Sequence, residues 1–267
     1  MVVPLETVSP KAEYAARTFR PKIQKHLDDY LIEIKPVKVQ HPNVNHSFDG
    51  LEWKRPADIL SLLNIDGTVP DVTRFFKGGT SRAKKIFGNF IRARLKNYEK
   101  NHNQPQTDDI SHMSMYLHFG QISPLYLALK INKAVMIWIR PRHLFWKNSS
   151  CGRNWPPTSF IIIRSMIISI AFRNGQNRRS RTIERTDGRI TYTRRQLEDV
   201  KTHDPYWNGA MQAMKYTGFM HNYMRMYWGK KILEWSSSPE RAFRNTLAMN
   251  NKYFLDGWEP NSYAGVA

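Results

Sequence analysis

Residues Met220–Trp235 read MHNYMRMYWGKKILEW, and this stretch decides the fold class. It holds four aromatics and three methionines with a single arginine among them. Met220, Tyr223 or Met224, Tyr227 or Trp228, Lys231 or Ile232, and Trp235 recur at the three- and four-residue steps of one helical face. Trp228 and Trp235 are seven positions apart and share a side two turns distant. Spacing alone gives a core helix. Arg225 sits close to the apolar face, and a buried guanidinium requires an anionic or hydrogen-bonding partner.

Outward from this helix the pattern stays helical. Thr80 or Ser81 is placed to cap a helix carrying Ile86, Phe87, Phe90, Ile91, Leu95 and Tyr98 on one side. Asn101–Asp109 (NHNQPQTDD) reads as a loop. Ser123-Pro124 and Ser238-Pro239 each pair a cap with proline at the first helical position, opening helices over Leu125–Ile131 and Glu240–Met249. Gly218 separates two helices, and Asp256-Gly257 marks a turn. No alternating strand pattern and no internal repeat is visible. The fold class expected is all-α.

Composition bounds the function. The 267 residues suffice for one large or two small domains with a true core. A net charge of +19 favours a polyanionic partner, nucleic acid first and an anionic membrane surface second. One cysteine excludes a disulfide framework and fits an intracellular setting, cytoplasmic or nuclear. The start lacks the basic-then-apolar pattern of a signal peptide. Phe160–Phe172 is too short to span a bilayer and contains Arg164, so no membrane association is expected.

Isolated candidates stay ordinary when read alone. His203 and His221 lack a second ligand at metal spacing, so exposed or hydrogen-bonded imidazoles are expected and no metal. Lys230-Lys231 reads as a solvated face, and Cys151 as an inert thiol. Ser111 and Ser114 precede MYLHFGQISP; they form a Ser-rich turn unless a cofactor phosphate needs their hydroxyls and backbone N–H groups.

THDPYWNGAMQAMKYTGFMHNYMRMYWGKKILEW, followed by LAMNNKYFLDGWEPNSYAGVA, resembles the flavin-binding catalytic domain of class II cyclobutane pyrimidine dimer DNA photolyases. The resemblance is dense over Thr191–Ala267 and resumes over about Val3–Lys133, where KAEYAARTFRPKI, FFKGGT and MYLHFGQISP carry it. It implies an all-α photolyase/cryptochrome domain that holds a U-shaped FAD noncovalently. It also implies light-driven electron transfer from the reduced cofactor to a flipped-out pyrimidine dimer in UV-damaged DNA, by a monomer.

By the same resemblance, Arg225 and Asp256 form a salt bridge beside the isoalloxazine ring, and Asn250 approaches its N5. Trp228 is the tryptophan nearest the flavin, Trp207 lies beyond it towards the surface, and Trp235 is an additional branch of the electron relay. Tyr98, Ser111, Met113 and Ser114 match the segments around the adenosine and phosphates.

Three departures qualify the resemblance. The chain starts near the end of the family's N-terminal α/β antenna domain, so 1–50 reads as its remnant plus a connector and 51–267 as an incomplete FAD-binding domain. It stops before the family's dimer-binding continuation. Between Val135 and Arg181 it does not resemble the family, and Ile110–Ile183 contains no Asp or Glu. A one-base shift of a permitted back-translation of Arg153–Gly175 yields ELAANFVYYNPQYDHFHSLSEW, which does resemble it. Two compensating frameshifts over about 135–181 account for this, and remove the family's dimer-contacting acid. Two other functions stay open: a cryptochrome-like flavin photoreceptor module, and a cofactor-free basic helical domain that stacks nucleobases.

Overall fold

The computed structural model describes residues 3–9, 16–35, 37–38, 56–135, 190–259, 262–263 and 266. The domain boundary expected near residue 50 falls outside them, as does the segment 135–181 apart from Val135. Among the described residues every regular element is helical. None of these helices is long and apolar enough to cross a membrane.

Three short helices, α1 (Leu5–Val8), α2 (Ala16–Lys25) and α3 (Leu27–Tyr30), enclose Val3, Val8, Phe19 and Ile23. After α4 (Pro56–Ser61), α5 (Thr80–Asn89) begins at Gly79, whose φ of 108° is open to glycine and strained for other residues. Gly79 therefore takes the cap position expected of Thr80 or Ser81, and its N–H donates to Gln121 Oε1 at 2.9 Å. α5 runs through a π-helical turn at Phe90–Arg94 into α6 (Leu95–Asn101). The loop that follows leads to α7 (Ser114–His118) and α8 (Pro124–Val135). Phe87, Phe90, Leu95 and Tyr98 pack with Met113, Met115, Tyr116, Leu127 and Ile131 as one core.

A second core is built by the C-terminal helices. Thr193 opens α9 (Arg194–Glu198) with a capping box completed by Gln196. Asp204 caps α10 (Pro205–Thr217), His221 caps α11 (Asn222–Glu234), and Ser238 caps α12 (Pro239–Tyr253). α11 packs on both α10 and α12. Trp207, Met211, Met214, Trp228, Ile232, Trp235, Met249 and Phe254 fill the space between them.

The two cores meet at Gly218. Its φ of 68° ends α10, and its carbonyl accepts the Leu255 N–H at 2.9 Å. A Cβ there would lie 2.6 Å from Leu255 Cγ, so the close approach requires glycine. Phe219 and Leu255 then reach into the first core. The Phe219 ring meets Phe76 at 5.8 Å and His112 at 4.9 Å between centroids.

Candidate functional site

The turn after α12 brings Asp256 under α11. Arg225 Nη2 donates to Asp256 Oδ1 at 2.8 Å, and its Nε donates to the Met220 carbonyl at 3.2 Å. The guanidinium carbon lies 3.8 Å above the Phe254 ring, a cation–π platform on the apolar side. Asp256 is 10 % exposed and Arg225 26 %, so the pair is largely shielded from water. The partner required by an arginine on an apolar face is present.

Asn250, on the last turns of α12, is buried. Its Nδ2 donates to Asn251 Oδ1 at 3.0 Å, and Asn251 Oδ1 in turn accepts the Trp258 N–H at 3.0 Å. Gly257 closes the turn so tightly that a Cβ would stand 2.9 Å from the Asn250 carbonyl oxygen. The turn that carries Asp256 therefore folds back against the Asn250 backbone at Gly257.

Phe254 also touches Trp228, edge-on at 6.1 Å. Trp228 stacks on Trp207 at 6.5 Å with planes 10° apart, and Trp207 Nε1 donates to the Trp228 carbonyl at 3.1 Å. Trp207 meets Trp235 at 5.6 Å and 67°. All three indoles are buried, with exposures of 0 % for Trp207, 2 % for Trp228 and 3 % for Trp235. Trp207 thus touches both Trp228 and Trp235. α10 carries Trp207 against Trp228 of α11 and against Trp235, the residue that caps the C-terminus of α11.

Other placements are mixed. Tyr98 and Met113 are core residues, with the Tyr98 ring edge-on to Phe90 at 5.7 Å. Ser111 and Ser114 are half-buried, Ser114 as the first residue of α7. His203 is exposed and hydrogen-bonded to the Tyr192 hydroxyl. His221 is buried; its Nδ1 caps α11, and burial first, with His112 second, keeps its imidazole below the ordinary titration range. No cluster able to hold a metal occurs among the described residues.

Asp204 has a double role, capping α10 and accepting from the Tyr227 hydroxyl. Burial raises its carboxyl, but bonds from Tyr227 and from the Trp207 and Tyr206 N–H groups outweigh that and leave it lowered. The same bond is the main reason that the Tyr227 phenol is pushed up to about 12. His112 and Phe254 were not singled out by the sequence reasoning. His112 takes a φ of 54°, places its ring between Phe76 and Phe219, and bonds Asp108 through Nε2 at 2.6 Å. No spacing rule announces a left-handed histidine.

No family model matches the chain. Nearly all of it is similar to proteins named deoxyribodipyrimidine photo-lyase. That of Methanothermobacter thermautotrophicus is 39% identical over 269 residues, covering 100% of this chain and 58% of the relative. That of Oryza sativa is 35% identical over 269 residues, covering 99% and 53%, and that of Potorous tridactylus 33% over 276 residues, covering 99% and 49%. These similarities support the photolyase family. The chain spans about half the length of the curated relatives that it matches. Among solved structures, a bacterial class III photolyase from Agrobacterium tumefaciens aligns with a TM-score of 0.52 at 18% identity, over 78% of this chain and 41% of that one. At that identity the likeness speaks for fold: the described helices match a photolyase helical domain.

The donor set suits the polar edge of a flavin ring. Arg225 brings a guanidinium held by Asp256, and Asn250 brings a buried carboxamide. Trp228 Nε1 and His221 Nε2, on and next to the same helix, are buried without a hydrogen-bond partner among the described residues. Buried polar atoms left unpaired are costly, and a bound polar ring is one way to satisfy them.

Proposed function

We propose that this chain is the helical catalytic part of a class II photolyase, which holds FAD and repairs cyclobutane pyrimidine dimers in UV-damaged DNA. The observation that carries the proposal is the Arg225–Asp256 pair set on Phe254, whose other contact is the Trp228–Trp207 stack. A cation, a buried carboxamide and a row of oxidisable rings converge, which packing alone does not require.

FAD, when bound, supplies the light absorption and the transferable electron. Arg225 would hold negative charge at the ring, with Asp256 fixing the guanidinium. Asn250 would set the hydrogen bonding at N5. Tyr98, Ser111, Met113 and Ser114 would hold the adenosine and phosphate end. Trp235, Trp207 and Trp228 would pass one electron inward in sequence, each hop being between neighbouring rings. The charge of +19 suits a DNA partner.

The compensating frameshifts over 135–181 belong to the same proposal. The alignment with the archaeal relative runs over the whole of this chain, 135–181 included. The altered stretch leaves the in-frame C-terminal helices as the part that carries the site.

Purified protein reconstituted with FAD tests the proposal. Retained flavin absorbance with blue-light repair of a dimer-containing oligonucleotide supports it. Retained flavin without repair favours a photoreceptor module, and salt-sensitive DNA binding without flavin favours a cofactor-free nucleic-acid domain.

A further inference from the structure

The three indoles of the row are all buried, so a positive charge passed outward along them stops at Trp235, which solvent barely reaches. Among the described residues, two rings cover that end, beside the Lys231 ammonium at 5.6 Å from the Trp235 ring. Tyr192 meets the Trp235 ring edge-on at 5.4 Å and 76°, and His203 meets it at 5.3 Å and 62°. Tyr192 is half-buried and His203 exposed, so exposure rises outward from the indole.

Backbone bonds fix the arrangement. The Tyr192 N–H donates to the Trp235 carbonyl at 3.2 Å, and the capping box of Thr193 follows immediately. The Tyr192 hydroxyl oxygen accepts the His203 backbone N–H at 3.0 Å and lies 2.7 Å from His203 Nδ1. A phenol has one proton to give. The hydroxyl can donate that proton to Nδ1 when the imidazole carries its own hydrogen on Nε2. A phenylalanine would pack on Trp235 equally well; the phenol–imidazole bond is what packing does not explain.

We propose that Tyr192 is the terminal electron donor of the tryptophan row and that His203 accepts its proton. This rests on the relay described under the proposed function. In the step, one electron leaves Tyr192 for the Trp235 radical cation and restores the neutral indole. The phenolic O–H bond breaks, and its proton crosses the 2.7 Å contact to Nδ1. The products are a neutral tyrosyl radical and an imidazolium. The contact lies inside the roughly 2.6–3.2 Å over which a positioned base takes a proton.

Pulse radiolysis with the azide radical tests this on the full chain, because it oxidises indoles without light or flavin. Indolyl absorption should convert to phenoxyl absorption in a first-order phase independent of protein concentration. Tyr192→Phe, folded as the wild type by circular dichroism, should lose that phase, and Trp235→Phe should lose it too. His203→Phe should slow it on the order of a hundredfold, the low end of what a positioned base contributes, and abolish its solvent deuterium isotope effect. A Tyr192→Phe chain that converts like the wild type overturns the proposal, as does a wild-type phase without an isotope effect. If the FAD-loaded protein gives no light-induced indolyl signal while the radiolysis phase persists, the relay reading fails and the Tyr192 terminus stands.

Discussion

Arg225 and Asp256 are 31 positions apart in the chain and 2.8 Å apart in space. α11 and the turn after α12 are joined there by charge as well as by packing. Asp256→Ala leaves the guanidinium with the Met220 carbonyl and the Phe254 face alone. The expected loss is about 2–3 kcal/mol, below the 3–5 kcal/mol of a fully buried pair because part of Arg225 still reaches water. Asp256→Asn keeps an acceptor and should lose about 1 kcal/mol. Urea midpoints measure both, and equal losses would show that the carboxylate charge is not what matters.

The indole row makes a kinetic prediction. Trp228→Phe should abolish photoreduction of bound FAD but spare repair when the flavin is reduced chemically. Trp207→Phe should behave the same way, since Trp207 alone joins Trp228 to Trp235 in the series. Transient absorption after a blue flash checks this, and photoreduction that persists in either variant removes that residue from the relay.

Much of this arrangement was legible because short-range chemistry dictates it. Ser238-Pro239 and Gly218 mark their helix ends through capping and a left-handed φ, and both do so in the fold. Arg225 on an apolar face demanded a counter-ion before one was visible. Depth was not legible. Periodicity left Tyr223 or Met224 and Tyr227 or Trp228 as alternatives, and contact with α10 and α12 chose Trp228 while exposing Tyr223. The full burial of Trp207 was not legible for the same reason, since nothing in its neighbours states how many helices lie over it. The Tyr192–Trp235 contact joins residues 43 apart through a backbone bond, which no motif encodes.

His221 predicts acid sensitivity. Its folded-state imidazole is held below its ordinary value, chiefly by burial and then by His112, with Asp108 opposing and His102 assisting. The unfolded chain takes up a proton near the usual value of about 6.5, while the folded chain resists it. Stability from this group is therefore complete above that value and falls as the pH drops through it, by up to about 1.4 kcal/mol per pH unit. His221→Asn keeps a side-chain cap on α11 and should flatten the slope between about pH 7 and pH 5. Urea unfolding across that range measures it; an unchanged slope assigns the acid sensitivity to other groups.

The segment 135–181 predicts a result at the level of the gene. Its lack of acidic residues and the legible alternative frame over Arg153–Gly175 have one cause if the coding DNA carries a compensating pair of single-base shifts. The alternative frame should then be open across the whole segment, and a stop codon within it would end the idea. A chain rebuilt in that frame regains apolar and acidic residues of the family pattern where Ile and Arg now accumulate. Burial of a flavin depends on the lining of its pocket, so the rebuilt chain should retain FAD through gel filtration better than the present one. The Arg225–Asp256 pair supplies the control. Asp256→Ala should weaken that retention in the rebuilt chain, because the gain is expressed through the site that the in-frame helices already hold.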